Sequence, residues 1–162
     1  MAEEAAQPQL TINTQYVKDH SFENPNAPAI YGTLRSEKPD ISLSVEVTPK
    51  QLQDLVYEVV LGLRASAKIG EATAFMAELD YAAVISLAPG LSEEMRERLV
   101  MVEVPRHLFP FARAILADDT RDGGFPPLMM TPIDFAQLYL SRRAPAGSAD
   151  GESAAGEANG QA

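Results

Sequence analysis

The sequence predicts an α+β fold: a four-stranded antiparallel sheet in Greek-key order, with helices packed on one face. Four segments with a two-residue hydrophobic period come first, and segments with a helical period follow residue 90. Gly70-Glu71 separates two of the strands where a two-residue hairpin loop belongs. Strands followed by helices, rather than alternating with them, favour helices gathered on one side of an antiparallel sheet.

The first strand begins at Leu10 and ends before Pro25 and Pro28, because prolines cannot continue the pairing. Strict alternation predicts that one face of this strand carries Leu10, Ile12, Thr14 and Tyr16. A long connection that contains proline, residues 24–39, then crosses to the next strand. This crossover is what predicts the Greek-key order.

Three consecutive strands follow. The second strand alternates from Ile41 to Val47, and Thr48-Pro49-Lys50-Gln51 predicts the turn after it. In the third and fourth strands, residues 57–69 and 75–87, the odd-numbered positions are apolar and are expected to face the core. The opposite face is mostly polar, but four apolar residues interrupt it: Val60, Met76, Ala82 and Val84.

The helices come last. Ser92 is placed to cap a first helix, and Pro105 to begin a second helix that ends before Gly123. Thr131 is placed to cap a third, with Pro132 at its first position and Arg143 near its end. Three helices exceed what one small sheet can cover, so we expect a homo-oligomer that buries helix against helix between subunits.

Only one domain is predicted, residues 10–143. Residues 1–9 are small and polar and form a predicted disordered lead. Residues 144–162 contain no Leu, Ile, Val or aromatic side chain and form a predicted disordered acidic tail.

Composition excludes several functions. The net charge of −10 opposes binding to nucleic acid, which needs clustered Lys and Arg. The chain has no cysteine and only two histidines, so a zinc site is not expected. No apolar run is long enough to span a membrane and no leader precedes the domain, which predicts a soluble cytoplasmic protein without direct membrane insertion.

The adjacent residues Asp19, His20 and Ser21 suggest a catalytic triad, but neighbours on a strand face opposite sides and cannot form the relay. Asp118, Asp119 and Asp122 lack the spacing of a calcium loop and are expected to be a solvated helix end. No phosphate-binding glycine loop is present, so no cofactor, metal or catalytic residue is predicted. An alternative remains open: a small homo-oligomeric hydrolase or isomerase that uses His20 or His107. A structural oligomer without a partner is a third possibility.

Residues 123–132 and their surroundings are rich in aromatic and methionine side chains: Phe109, Phe111, Phe125, Met129, Met130 and Phe135. These side chains form either core or a groove that can repack around many partners.

Five blocks together resemble the SecB protein-export chaperone family, over about residues 10–142. The blocks, in chain order, are Tyr16 to Pro28, Tyr57-Glu58-Val59-Val60-Leu61, Gly70-Glu71 with Thr73-Ala74-Phe75, Leu108-Phe109-Pro110-Phe111-Ala112-Arg113, and Gly124-Phe125-Pro126. The resemblance implies an ATP-independent holding chaperone, a homotetramer built as a dimer of dimers. It implies that unfolded precursor proteins bind in apolar grooves and pass to the SecA translocation motor, without catalysis.

The resemblance also assigns residues to these roles. The positions that match the SecA-docking surface are Asp19, Glu23, Met76 and Glu78. The positions that match the client groove are Phe75 and Phe135, with Tyr31 and Leu34 of the crossover as its other wall. The chain departs from many relatives in having no tryptophan in the crossover.

Overall fold

The computed structural model describes residues 6–143, so residues 1–5 of the predicted lead and the whole predicted tail, 144–162, lie outside the described residues. One antiparallel sheet contains four strands: β1 (Leu10–Glu23), β2 (Asp40–Gln53), β3 (Val56–Ile69) and β4 (Ala72–Leu87). Their spatial order is β1-β4-β3-β2: the crossover leads from β1 to β2 at the far edge, and consecutive hairpins from β2 to β4 bring β4 back beside β1. The predicted Greek-key sheet is confirmed.

In the described part of the chain, four α-helices lie in the crossover and after the sheet: α1 (Ile30–Leu34), α2 (Glu93–Arg98), α3 (Val104–Asp122) and α4 (Phe135–Arg143). The long helix α3 packs on β3 and β4. We name the helix-covered side of the sheet the core face and the opposite side the outer face. Across residues 6–143, no helix combines the length and the apolarity that crossing a membrane requires.

The core face follows the predicted alternation in β3 and β4. Every odd-numbered residue from Val59 to Ile69 and from Phe75 to Leu87 is buried. These side chains pack with Leu108 and Leu116 of α3, which are themselves fully buried. Burial of each leucine, isoleucine, valine or phenylalanine in this layer contributes about 1.5–3 kcal/mol, which makes the layer the main source of stability.

The β3–β4 hairpin confirms the turn prediction. Ile69 pairs with Ala72, which leaves Gly70 and Glu71 as a two-residue loop. Gly70 has a φ of 60°, the left-handed value that a type II′ turn needs at its first central position.

The predicted turn at Thr48-Pro49-Lys50-Gln51 is wrong. β2 continues through it to Gln53, with Pro49 opposite Val59, and the chain reverses at Asp54 and Leu55. Proline is tolerated there because β2 is an edge strand, so the missing N–H has no partner to satisfy.

The predicted alternation of β1 is wrong beyond Ile12. Register shifts between Ile12 and Thr14 and between Val17 and Asp19 insert extra residues into the strand. Ile12 therefore lies opposite Ile85 on the core face, whereas Tyr16 lies opposite Ala82 on the outer face. Each shift reverses the side on which the following residues face.

The predicted cap of the first helix is confirmed, but the predicted separation between the first and second helices is not. Ser92 Oγ accepts a hydrogen bond from the Met95 amide at 3.2 Å, as predicted. No break separates α2 from α3, because a π-helical segment, Leu99–Glu103, joins them, with the Val104 amide bonding to the Leu99 carbonyl. Pro105 follows in the first turn of α3, as predicted, where a proline's missing N–H is tolerated.

The last helix starts later than predicted. Asp134, not Thr131, caps α4: its Oδ1 accepts a hydrogen bond from the Gln137 amide at 3.0 Å. Aspartate is as good a cap as threonine or better, so the helix starts at Phe135. The short helix α1 within the crossover has no signal in the sequence pattern, because five residues are too few to show a period.

Candidate functional site

The four predicted docking residues lie together on the outer face, at one end of the β1–β4 pair. Glu23 is the cross-strand partner of Met76, and Ser21 is the partner of Glu78. Asp19 lies one step further along, opposite Asp80. Residues directly opposite in an antiparallel pair share a face, so the register alone brings this set together.

This patch offers negative charge around an apolar side chain. The side chain of Glu78 is 62% exposed, Met76 is 40% exposed, and Asp19 and Glu23 are also exposed. Within residues 6–143, no salt bridge involves Asp19 or Glu23. Such a surface attracts a basic partner by charge and can retain it by contact with the thioether.

The next charged group along the outer face is internally paired. Lys18, at the second bulge of β1, reaches across β4 to Glu58 Oε1 at 2.6 Å, and the Tyr16 hydroxyl donates a hydrogen bond to Glu58 Oε2. The hydrogen bonds from Lys18 and Tyr16 lower the pKa of Glu58. The same hydrogen bond to Glu58, helped by burial, raises the pKa of Tyr16 to about 12. This group stabilises the sheet and adds little free charge to the docking patch.

Four aromatic side chains lie on the core face directly behind the docking patch. Phe22 stacks on Phe75 with ring centroids 5.9 Å apart, and Phe75 contacts Phe125 at 5.2 Å. Phe125 in turn contacts Tyr31 of α1 at 5.5 Å. This aromatic cluster joins β1, β4, the crossover and the loop after α3.

The carbonyl of Gly123 fixes the crossover against the end of α3. The Tyr31 hydroxyl donates a hydrogen bond to this carbonyl at 2.7 Å, and Asn24 Nδ2 donates one to the Tyr31 oxygen at 2.6 Å. The Phe22 ring lies so close to Gly123 that an added Cβ would be 2.5 Å from it. Only glycine therefore fits at this position without movement of the ring.

The predicted client-groove residues divide into two places. Tyr31 and Leu34 line an open groove of about 530 Å³, with Phe75 behind them across the Phe125 ring. Phe75 itself is only 2% exposed. Phe135 lies elsewhere, 1% exposed, against the Phe109 ring at 6.1 Å and beside a smaller depression of about 120 Å³ next to Val47.

Sequence reasoning missed an exposed apolar strip on β2. Ile41 and Leu43 face the same side as the buried Ala67 and Ala65, yet they are 42% and 47% exposed. Their alternation indicated the core face, but burial also depends on where the helices end. In the aromatic and methionine-rich region, Phe109, Phe125, Met130 and Phe135 are core, whereas Phe111 and Met129 are 48% and 65% exposed.

The two histidines and the acids at the end of α3 lie in separate small contacts. His20 Nε2 lies 2.5 Å from Asp119 Oδ2 of α3, but Ser21 faces the outer side and cannot join this pair. His107 lies beside the Phe111 ring. Asp118 and Asp122 both pair with Arg121. In the described part of the chain, no group of three His, Cys, Asp or Glu residues could hold a metal ion. The hydrolase or isomerase alternative is not supported.

Comparison with known proteins agrees with the blocks in the sequence. The family model described as SecB, preprotein translocase subunit SecB, matches residues 3–146. The protein-export protein SecB of Parvibaculum lavamentivorans is 48% identical over 141 residues, which cover 87% of this chain and 83% of that protein. The protein of the same name from Granulibacter bethesdensis is 49% identical over 146 residues, covering 86% and 85%.

A solved structure shares the fold. The Mycobacterium tuberculosis SecB-like chaperone, in complex with a ChAD peptide from an antitoxin, aligns with a TM-score of 0.64 at 15% identity and covers 77% of this chain and 91% of that chain. The family match spans all of the described residues, and the matches to the two relatives cover most of both chains. The chain therefore belongs to the SecB family.

Proposed function

We propose that this protein-export chaperone holds secretory precursor proteins unfolded without ATP and delivers them to the SecA motor, using opposite faces of its sheet for the two partners. The observation that supports this division is the register of β1 and β4. Consecutive residues of each strand face opposite sides, so Glu23 and Met76 lie on the outer face and Phe22 and Phe75 lie on the core face. A client on one side and the motor on the other would not compete for the same atoms.

SecA docking is assigned to the outer-face patch. The exposed carboxylates of Asp19, Glu23 and Glu78 would attract a basic surface of the motor, and Met76 would provide apolar contact. Because these charges are exposed, their attraction is screened beyond about 10 Å at 0.1 M salt. Docking is thus expected to be fast and reversible, which suits a transfer step.

Client binding is assigned to the apolar surface on the core-face side. Tyr31 and Leu34 line its open groove, and the exposed strip of Ile41 and Leu43 lies on β2. β2 is an edge strand, whose backbone an extended chain can pair with whatever its sequence, although Arg142 Nη2 already donates a hydrogen bond to the Val45 carbonyl. Phe75 and Phe135 would contribute after local opening, since both are buried in the single chain.

Holding without ATP needs only binding to the unfolded state. Binding that is specific for unfolded chains delays folding by mass action. At an association rate of about 10⁶ M⁻¹s⁻¹ and micromolar concentration, capture takes roughly a second. Slowly folding precursors are therefore the expected clients.

The working unit is proposed to be a homotetramer in the cytoplasm, a dimer of dimers. β1 is the other edge of the sheet, with fourteen residues, and Val17 on it is 47% exposed. Phe111 of α3 is 48% exposed and stacks on Tyr81, the cross-strand partner of Val17. A second copy that pairs along β1 and packs along α3 would cover both apolar side chains.

Refolding of a slow-folding secretory precursor tests the proposal. The precursor is diluted from denaturant with and without an excess of the protein, in the absence of nucleotide, and its recovery of native fluorescence is followed. The expected result is a several-fold slower recovery than with the same amount of serum albumin. Recovery at the albumin rate would reject the chaperone mechanism proposed for this chain.

A further inference from the structure

Arg64 lies on β3 in the middle of the outer face, next to the carboxylates that β4 carries in and beside the docking patch. It is opposite Glu78 in the β3–β4 register, and the neighbouring Gly62 is opposite Asp80. Its Nη2 atom is 2.9 Å from Asp80 Oδ1, and its Nε atom is 3.9 Å from Glu78 Oε2. One cation thus lies between two acids of β4.

The guanidinium group is held in this position by the backbone. Arg64 Nη1 donates hydrogen bonds to the carbonyl oxygens of Leu63 at 3.0 Å and Leu79 at 3.2 Å. Gly62 lies beneath this pair: an added Cβ would be in ordinary contact with Nη1 at 3.6 Å and tight against Asp80 Oδ1 at 3.3 Å. The planar fork of arginine, with several donors in fixed directions, suits this set of acceptors better than lysine would.

Arg64 offsets a concentration of like charge. Asp80 is directly opposite Asp19, an arrangement that destabilises a sheet when both side chains are charged. Glu78 is next along β4 on the same face, and Glu46 lies opposite Gly62 on β2. A shallow groove of about 280 Å³ runs over Gly62 between Glu46 and Asp80, and the cations Lys18 and Arg64 also line it.

We propose that Arg64 is an internal counter-ion that competes with the basic side chains of the docking partner and so limits docking affinity. This inference rests on the proposed docking of SecA at the outer face. A lysine or arginine of the partner that enters the groove over Gly62 meets Glu46 and Asp80. Asp80 already has Arg64 as its cation, and Lys18, paired with Glu58, lines the same groove. Arg64 is 42% exposed and remains within reach of the same partner, which it repels.

A limit on affinity has a use in transfer. The dissociation rate sets most differences in affinity between related complexes, so weaker docking means faster release after the precursor has been handed on. It also reduces binding to unrelated basic proteins, because Arg64 adds a repulsive charge to the patch.

The test compares Arg64→Gln with Arg64→Lys. Affinity for purified SecA is measured by titration calorimetry at low salt and at 0.15 M salt, and thermal unfolding confirms that each variant is folded. The expected result is that Arg64→Gln tightens docking about three- to tenfold at low salt and steepens its salt dependence, whereas Arg64→Lys stays near the original affinity. Arg64→Met, which keeps the aliphatic stem, replaces Arg64→Gln if that variant does not fold.

Two results would overturn the inference: docking that is unchanged or weaker in Arg64→Gln, or docking that tightens equally in Arg64→Lys. The second would mean that the hydrogen bonds to the backbone matter and the charge does not. Glu23→Lys in the same titration separates this from the proposed function. If Glu23→Lys binds SecA as tightly as the original protein, the assignment of docking to the outer face is wrong. If Glu23→Lys binds SecA more weakly but Arg64→Gln binds it with unchanged affinity, only the counter-ion role of Arg64 is rejected.

Discussion

Phe22 and Phe75 stack on the core face with ring centroids 5.9 Å apart, directly behind the cross-strand pair formed by Glu23 and Met76. Each strand thus contributes one residue to the aromatic cluster and the next residue to the docking patch. The period of two in a β-strand makes this possible within a single sheet. The two partners proposed for this protein would therefore contact residues that are adjacent in sequence and separated by the thickness of the sheet.

Gly123→Ala should destabilise the protein. The added Cβ would lie 2.5 Å from Phe22 Cζ and 3.1 Å from the Asp119 carbonyl oxygen, so the aromatic cluster or the end of α3 must move. A loss of about 1–3 kcal/mol in the free energy of unfolding is expected, measured by urea titration. Gly32→Ala is the matched control, because no heavy atom lies within 4 Å of its added Cβ. Equal effects of the two substitutions would show that the contact with Phe22 is unimportant.

Glu58→Gln should make the free energy of unfolding less dependent on pH in the acidic range. The pKa of Glu58 is lowered from its ordinary 4.5 by hydrogen bonds from Lys18 and Tyr16. Its stabilisation is therefore complete above that value and is lost as the pH falls through the lowered pKa. The free energy of unfolding, measured from pH 6 downward, should fall less steeply in Glu58→Gln than in the original protein. Glu46→Gln, at an exposed position on the same face, is the matched control, and an equal change in slope in the two variants would contradict the prediction.

Much of the sheet could be predicted because alternation, turn glycines and strand-ending prolines are local signals. The buried rows of β3 and β4 follow directly from the residue types at odd positions. The bulges of β1 could not be predicted, since their positions depend on pairing with β4 across some seventy residues of chain. The continuation of β2 through Pro49 depends on its being an edge strand, which only the assembled sheet decides.

In the candidate site, too, some features could be predicted from the sequence, whereas others depend on the assembled structure. The docking residues could be proposed from matched blocks, and the register then placed Asp19, Glu23, Met76 and Glu78 on one face. Phe75 and Phe135 stay predictions for the client groove; in the single chain Phe135 packs against Phe109, in another part of the core from Phe75. His20 and Asp119 are 99 positions apart in the sequence, so no local spacing could predict that they pair.

Phe111→Ser should weaken the proposed tetramer. Phe111 is 48% exposed on α3, where a second copy would cover it, and a serine removes most of the apolar area. Static light scattering should show a mass of half the tetramer or less at micromolar concentration. Met129→Ser changes a side chain that is 65% exposed in the loop after α3, outside the proposed interface, and should leave the mass unchanged. A tetrameric Phe111→Ser protein would place the interface elsewhere.

Replacing both histidines by glutamine should leave chaperone activity intact. The pair of His20 with Asp119 is partly exposed, with the His20 side chain 34% exposed, and such pairs stabilise proteins by about 0–1 kcal/mol. The delay in precursor refolding should stay within about twofold of the original value, with the native circular dichroism spectrum as a control for folding. Loss of the delay in a folded double variant would instead favour a chemical role for His20 or His107.

Reversal of three docking charges tests the separation of the two faces most directly. The variant Asp19→Lys, Glu23→Lys, Glu78→Lys is compared with a control of equal charge whose substitutions lie outside the docking patch: Glu37→Lys, Glu71→Lys and Glu94→Lys, all exposed positions. SecA affinity and the delay in precursor refolding are measured on both proteins. We predict that the docking variant loses SecA binding by more than about tenfold and keeps the refolding delay, whereas the control keeps both. Equal loss of SecA binding and of the refolding delay in the docking variant, or no loss of SecA binding, would contradict separate sites on the two faces.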